Sequence, residues 1–197
     1  MVGKGLSKAP LHLRDRDLVA MTESNALALV AFPTPLGWMA MAGADRTLRA
    51  LTLGHRTRAE AIQALTAHVS CSAKEAVWNK ALIERLHAYA RGSPEDFRDV
   101  AIDPGPLSEF HRRVVECCRG IRWGTTLSYG QLAQRAGFPR AARAVGRCMA
   151  ANRIPLVVPC HRVVGADGAL RGFSAAGGTA LKRRLLELET APVSPQG

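Results

Sequence analysis

The pattern of apolar and polar positions divides the chain into two halves with different predicted structure. In the first half, three short apolar runs at 26–32, 36–42 and 47–53 are separated by turns rich in proline and glycine. This succession is typical of a small antiparallel sheet. Apolar residues at helical spacing follow at about 58–69 and 74–90. The first half is therefore predicted to be an α/β domain.

A domain boundary is predicted at 103–106, where Asp-Pro-Gly-Pro continues neither a helix nor a strand. The predicted division is an N-terminal α/β domain over 25–103 and a C-terminal domain over 107–190. Residues 1–24 lack any periodicity and are interpreted as a partly disordered N-terminal extension, and residues 191–197 are interpreted as a tail.

The second half is predicted to be mainly helical. Apolar residues recur at helical spacing across 107–121, and two further helices are predicted at 129–135 and 140–151, joined by a turn that contains glycine and proline. Two short helices joined in this way are typical of a helix-turn-helix, but any helical hairpin with a glycine turn has the same pattern. A last helix is predicted over 179–189, with leucines on its buried side and Lys182, Arg183 and Arg184 facing solvent.

Positive charge is concentrated in the second half. The chain has a net charge of +11, and residues 107–189 carry fourteen Lys or Arg against five Asp or Glu. A local excess of this kind suits a polyanion, of which nucleic acid is the commonest, although a solvated basic surface without a specific purpose is the alternative. No apolar run approaches the roughly 20 residues that cross a bilayer, and no signal peptide is expected.

Five cysteines, an odd number without CxxC spacing, argue against a disulfide framework or a four-thiolate zinc site. Free thiols predict a reducing compartment, and we expect the protein to be cytoplasmic. Cys71 and the nearby histidines of the first half lack convincing ligand spacing, so no metal is predicted.

Cys160 is the cysteine with a chemically suggestive neighbour, His161. A thiol is a weak nucleophile at neutral pH unless a base or a positive field increases its thiolate fraction. The imidazole would need a carboxylate to hold its tautomer, and Glu187 and Glu189 are the downstream candidates. A Cys-His dipeptide alone is weak evidence, and a buried structural cysteine is the competing interpretation.

Several sequence blocks in the second half carry a family resemblance. They are SYGQLA at 128–133, AARAVG at 141–146, PCHRV at 159–163 and LLELE at 185–189. With Asn152 and Pro155, they resemble in order and spacing the signature of the O6-alkylguanine-DNA alkyltransferases, also called methylated-DNA–protein-cysteine methyltransferases. Weaker patterns extend the likeness over nearly all of 26–189.

The resemblance implies direct-reversal DNA repair and a C-terminal domain of winged-helix or helix-turn-helix type. The alkyl group of O6-alkylguanine, or of O4-alkylthymine, would pass irreversibly to Cys160, once per molecule and without a cofactor. His161 would act as a base through a water molecule, Glu189 would orient His161, and Asn152 would brace the turn that holds the cysteine.

The resemblance also implies the mode of DNA binding. The helix-turn-helix would bind double-stranded DNA through the minor groove, and the damaged base would be flipped out of the stack. Arg143 would replace that base, and Tyr129 would press on the adjacent phosphate. The groove-facing side of the helix would be Ala142, Gly146 and Met149, and the pocket walls would be Pro155, Val163, Phe173 and Ser174. The protein is expected to be a monomer, associated with the nucleoid if it is bacterial.

One departure from the family pattern affects the pocket, because the loop at 172–178 is longer than usual. Two other functions stay open. A non-transferring helix-turn-helix protein that recognises lesions or regulates other factors would bind DNA with an unreactive thiol, and a cysteine hydrolase would turn over with its thiol regenerated.

Overall fold

Three antiparallel strands form the predicted sheet of the first half in the computed structural model, which describes residues 27–69 and 73–191. They are β1 (Ala28–Thr34), β2 (Gly37–Ala44) and β3 (Thr47–His55), with β2 in the middle. The β1–β2 turn depends on Gly37, whose φ is +98° and where a Cβ would lie 2.8 Å from a backbone oxygen. The predicted extension, 1–24, and residues 192–197 of the predicted tail lie outside the described residues.

A fourth strand, β4 (Lys74–Glu75), pairs parallel with β1 and makes the sheet mixed. The prediction of a helix from residue 74 was therefore wrong at its start. Instead, the Lys74 N–H donates to the carbonyl oxygen of Leu27, just before β1, and the Ala76 N–H donates to that of Leu29 in β1. The helix begins at Lys80 because Asn79 caps it, with its side chain accepting a hydrogen bond from the Leu82 N–H at 3.2 Å.

Two helices of the first half come after β3 in the chain, with β4 between them. Helix α1 (Arg58–Thr66) covers β2 and β3 with Ala61 and Leu65. Helix α2 (Lys80–Ala90) buries one side, and Tyr89 lies on that side near its C-terminal end.

The second half is mainly helical, as predicted. Its elements are α3 (Glu109–Arg119), β5 (Leu127–Ser128), α4 (Tyr129–Arg135), α5 (Ala142–Ala150), a 3-10 turn (Cys160–Arg162), β6 (Val163–Val164) and α6 (Gly178–Thr190). Ser128 caps α4 in a reciprocal capping box with Gln131. The turn to α5 includes Gly137, whose φ of +87° favours glycine. Helices α4 and α5 thus form the helix-turn-helix.

Both halves share one apolar core. The largest cluster of buried residues includes Met39 and Leu86 from the first half and Val145 and Leu185 from the second. A backbone hydrogen bond of 2.9 Å joins the Leu51 N–H of β3 to the carbonyl oxygen of Arg153, seven residues before Cys160. The turn that carries the cysteine is therefore tied to the N-terminal sheet. No helix in the described part of the chain is long and apolar enough to cross a membrane.

Candidate active site

Cys160 opens a 3-10 turn that follows the buried apolar run at 154–158. Its side chain is almost fully buried. Asn152, which follows the C-terminal end of α5, holds it in place. Asn152 Nδ2 lies 3.1 Å from Cys160 Sγ and 2.8 Å from the carbonyl oxygen of Val158, and Asn152 Oδ1 accepts a 3.0 Å hydrogen bond from the Ile154 N–H. One amide side chain therefore holds both the turn and the thiol.

Opposing effects set the ionisation of Cys160. Burial raises the pKa of the thiol, because a thiolate loses hydration. The hydrogen bond from Asn152 and the positive charge of Lys182 oppose that rise. The net effect is a raised pKa, and the contacts that the fold supplies limit how far burial disfavours the thiolate.

His161 lies beside the cysteine and is completely buried. Its Nε2 lies 2.8 Å from Glu189 Oε1, so the ring proton on Nε2 is donated to the carboxylate. Burial lowers the pKa of His161, although Glu189 opposes this. Nδ1 is buried and has no hydrogen-bond partner among the residues that the structure describes. The imidazole is thus neutral, with Nδ1 available as a base.

Glu189, rather than Glu187, is the carboxylate of the site. Glu187 is exposed, whereas Glu189 is buried near the end of α6. Arg162 donates from Nε at 2.9 Å to Glu189 Oε2 and from a terminal nitrogen at 2.9 Å to Oε1, and it also donates to the carbonyl oxygens of Ile121 and Glu95. Burial alone would raise the pKa of Glu189, but the hydrogen bonds from His161 and Arg162 lower it to about 2.

Two buried residues of the site were not identified from the sequence. Tyr89 of α2 donates a 2.7 Å hydrogen bond from its hydroxyl to Glu189. Lys182 was expected to face solvent with its neighbours on α6, and that expectation was wrong. It is completely buried, and its Nζ donates to the carbonyl oxygens of Val163 at 2.6 Å and Arg171 at 3.1 Å. A helical pattern does not distinguish Tyr89 from an ordinary core aromatic residue, nor Lys182 from a surface cation.

A cleft of about 530 Å³ opens beside Cys160 against the helix-turn-helix. The predicted site residues on its lining are Tyr129, Ala142, Arg143, Gly146, Met149, Cys160, Phe173 and Ser174. Arg143 is exposed, Tyr129 and Phe173 are half-buried, and Met149 is buried. Pro155 and Val163 are buried and do not line this cleft, so the predicted pocket walls are only partly brought together.

The cleft is bounded by small residues on the helix side. Gly146 of α5 faces the Tyr129 ring, and a Cβ there would lie 3.9 Å from ring carbons, an ordinary contact distance. The Nζ of Lys182, on α6, lies 5.8 Å from the centre of the same ring. The Tyr129 ring therefore lies near both Gly146 of α5 and Lys182 of α6.

Within 27–69 and 73–191, no group of three or more His, Cys, Asp or Glu side chains is arranged to hold a metal ion. Cys71, considered above as a ligand, lies outside the described residues.

Comparison with known proteins places this geometry in a family. A family profile described as "6-O-methylguanine DNA methyltransferase, DNA binding domain" matches residues 109–191. The methylated-DNA–protein-cysteine methyltransferase of Mycolicibacterium paratuberculosis is 38% identical over 79% of this chain and 88% of its own length. The mouse protein of the same name is 33% identical over 87% of this chain and 85% of its own length.

The structural comparison agrees with the sequence comparison. The crystal structure of Mycobacterium tuberculosis OGT in complex with DNA has a TM-score of 0.69 at 34% identity, covering 84% of this chain and 96% of that one. The two-part fold, the matched profile and these relatives together establish that the chain belongs to the methylated-DNA–protein-cysteine methyltransferase family.

Proposed function

We propose that this protein repairs DNA by direct reversal, moving the alkyl group of O6-alkylguanine onto its own Cys160. One observation carries the proposal. Cys160 lines a cleft against the helix-turn-helix, and a buried His161–Glu189 pair lies directly behind it. The proposed nucleophile and DNA-binding element thus share one cavity, with the proposed base next to the nucleophile in the chain.

The arrangement of His161 supports a base that acts through water. Glu189 accepts a hydrogen bond from the Nε2–H group, which leaves Nδ1 as the acceptor on the other side of the ring. A water molecule between Nδ1 and Sγ would carry the thiol proton to the imidazole, and Glu189 would stabilise the imidazolium that forms. Arg162 keeps Glu189 ionised throughout, because the low pKa of that carboxyl excludes its protonation near neutral pH.

The transfer itself is an in-line displacement. The Cys160 thiolate attacks the alkyl carbon, the new S–C bond forms as the C–O6 bond breaks, and the electron pair of that bond stays with guanine. The guanine takes up one proton from solvent, and the His161 imidazolium returns the thiol proton to solvent, so the protons balance. The product thioether is stable to hydrolysis, so each molecule reacts once and no cofactor is required.

Duplex DNA is the proposed partner, bound through the minor groove. A stacked base cannot reach a thiol as deeply buried as Cys160, so the base must first be extruded. Arg143 on α5 is exposed at the cleft and would fill the vacated space, while Tyr129 would press on the neighbouring phosphate. The small side of α5 at Ala142 and Gly146 would allow close approach to the groove.

The remaining pocket roles follow from position. Phe173 and Ser174 line the cleft and would contact the extruded base, whereas Met149 would lie beneath it. Pro155 and Val163 would support the wall from behind.

Because every one of these groups comes from a single chain, we propose that a monomer is the active form. We also propose 25–103 and 107–190 as its two domains.

A stoichiometry measurement tests the proposal. Duplex DNA with a tritium-labelled methyl group on guanine O6 is incubated with the full chain, and protein-bound label is counted. We expect one methyl group per protein molecule and none from a second addition of substrate. Selective DNA binding without label transfer would favour the lesion-recognition alternative, and release of product with a regenerated thiol would favour a hydrolase.

A further inference from the structure

Tyr89 reaches the acid–base network from the N-terminal half of the chain. It lies on α2 and is completely buried. Its ring packs edge-on against Trp123 with centroids 5.2 Å apart, and edge-on against His161 at 6.5 Å. Its hydroxyl oxygen lies 2.7 Å from Glu189 Oε1 and 3.3 Å from His161 Nε2. The hydroxyl is therefore within hydrogen-bonding distance of both partners of the His–Glu pair.

The chemistry of the three groups determines the direction of these hydrogen bonds. Glu189 is ionised and can only accept, so the Tyr89 hydroxyl donates to Oε1. Oε1 also accepts from His161 and from Arg162. Burial and the charge of Glu189 raise the pKa of Tyr89 well above its ordinary value, so the hydroxyl keeps its proton. The neutral Tyr89 hydroxyl thus donates a hydrogen bond to Glu189 Oε1, the same oxygen that accepts a hydrogen bond from His161.

This donor has two physical effects on His161. It fixes the plane of the Glu189 carboxylate, and with it the ring orientation that leaves Nδ1 pointing away from Glu189. It also disperses part of the carboxylate charge, which weakens the attraction of Glu189 for an imidazolium. The other groups that act on His161 are the cations of Arg162 and Lys182, which both disfavour its protonation.

We propose that Tyr89 is a positioning residue for alkyl transfer, so that the N-terminal half supplies part of the acid–base network in addition to its share of the core. This inference rests on the proposed function. It concerns a residue outside the matched DNA-binding profile at 109–191.

The test compares Tyr89→Phe with Trp123→Phe in the full-length protein. Tyr89→Phe keeps the ring and removes only the donor, whereas Trp123→Phe alters the packing around the ring and keeps the donor. Single-turnover transfer from duplex DNA containing O6-methylguanine is measured across pH. For Tyr89→Phe we expect transfer to be roughly tenfold slower, which corresponds to the free energy of one charge-assisted hydrogen bond. We also expect the acidic limb of the pH–rate profile to move to higher pH. Trp123→Phe is expected to lower Tm and to leave the limb in place.

A wild-type rate with an unmoved limb in Tyr89→Phe would overturn the proposal. Equal loss of rate in both variants, again with unmoved limbs, would also overturn it and would leave Tyr89 a packing residue. Duplex affinity, measured with Cys160→Ser added to each variant, is expected to be unchanged.

A second measurement does not depend on transfer or on the folding of Tyr89→Phe. The chain contains two tyrosines, so in a Tyr129→Phe background 3-fluorotyrosine labels Tyr89 alone. The more acidic fluorinated hydroxyl is a stronger donor, and ¹⁵N chemical shifts of labelled histidine are expected to show a lower pKa for His161. An unchanged His161 pKa would refute the role of Tyr89. Absence of methyl transfer by the wild-type protein would instead refute the proposed function, and the two failures are thus distinguishable.

Discussion

Asn152 Nδ2 lies 3.1 Å from Cys160 Sγ, and the same nitrogen donates to the Val158 carbonyl oxygen at 2.8 Å. One side chain therefore connects the shape of the turn to the ionisation of the nucleophile. An N–H donor favours the thiolate over the thiol, which opposes the rise in the Cys160 pKa that burial causes.

Asn152→Ala is expected to raise the Cys160 pKa and to slow alkylation of Cys160 by iodoacetamide at neutral pH. The backbone groups of Val158 and Ile154 lose their side-chain partner, which should lower the free energy of unfolding by about 1–3 kcal/mol. The pH dependence of alkylation and a urea titration measure these effects. The control is Asn79→Ala, which removes the cap of α2 and should lower stability without changing the thiol. An unchanged Cys160 pKa in Asn152→Ala would contradict the electrostatic role.

Stability should fall on acidification in two stages. The folded-state pKa of His161 is lowered, so the stability that comes from its neutral form is present above its ordinary value of 6.5 and is lost as pH falls through the folded pKa. Glu189 has a folded-state pKa of about 2 against an ordinary 4.5, so its contribution of about 3 kcal/mol is lost between those values.

Glu189→Gln provides the check on the second stage. The substitution leaves the buried Arg162 without its counter-charge and should cost about 3–5 kcal/mol at neutral pH. The difference between wild-type and variant unfolding free energies should shrink as pH falls from 4.5 toward 2. A difference independent of pH over that range would exclude Glu189 as the group responsible.

Arg143→Ala is expected to slow transfer from duplex DNA much more than transfer from the free alkylated base. Extruding a base costs a few kcal/mol, so losing the residue that replaces it should slow duplex repair on the order of 100-fold. Arg147→Ala is the matched control, because Arg147 is also exposed on α5 but does not line the cleft. Single-turnover rates on both substrates measure the ratio. Equal slowing on the two substrates would contradict the base-replacing role.

Lys182→Met tests the buried cation. Removing Nζ leaves the carbonyl oxygens of Val163 and Arg171 without this donor, and stability should fall by about 1–3 kcal/mol. The Cys160 pKa should rise, because the charge of Lys182 lowers it. Arg183→Met, at an exposed position on the same helix, should change neither property. Stability and thiol reactivity equal to those of the wild-type protein would show that Lys182 supports neither.

The sequence predicted those features that depend on local pattern. The antiparallel pairing of the first three strands and the helix-turn-helix follow from apolar spacing and turn residues, and the structure confirms them. The choice of Glu189 over Glu187 came from the resemblance, since spacing on the chain left both open. The parallel strand Lys74–Glu75 could not be predicted, because its pairing partner in β1 lies more than 40 residues away.

Burial of polar groups was the other limit of the sequence. Lys182 was expected to face solvent with Arg183 and Arg184, and only the three-dimensional arrangement of Val163 and Arg171 explains its burial. Tyr89 is distant in sequence from both His161 and Glu189 and has the spacing of a core residue. Contacts that join the two halves of the chain carry no local signal.

Cys160 is the proposed alkyl acceptor, and the mass of the peptide that contains it tests this role most directly. The full chain is incubated with duplex DNA containing O6-methylguanine, digested, and compared with the same protein incubated with unmodified DNA. We predict a gain of one methyl group on the peptide that contains Cys160, on that peptide alone, and no gain in Cys160→Ser. An unchanged Cys160 peptide after complete incubation, or a methyl group on another cysteine, would contradict the account.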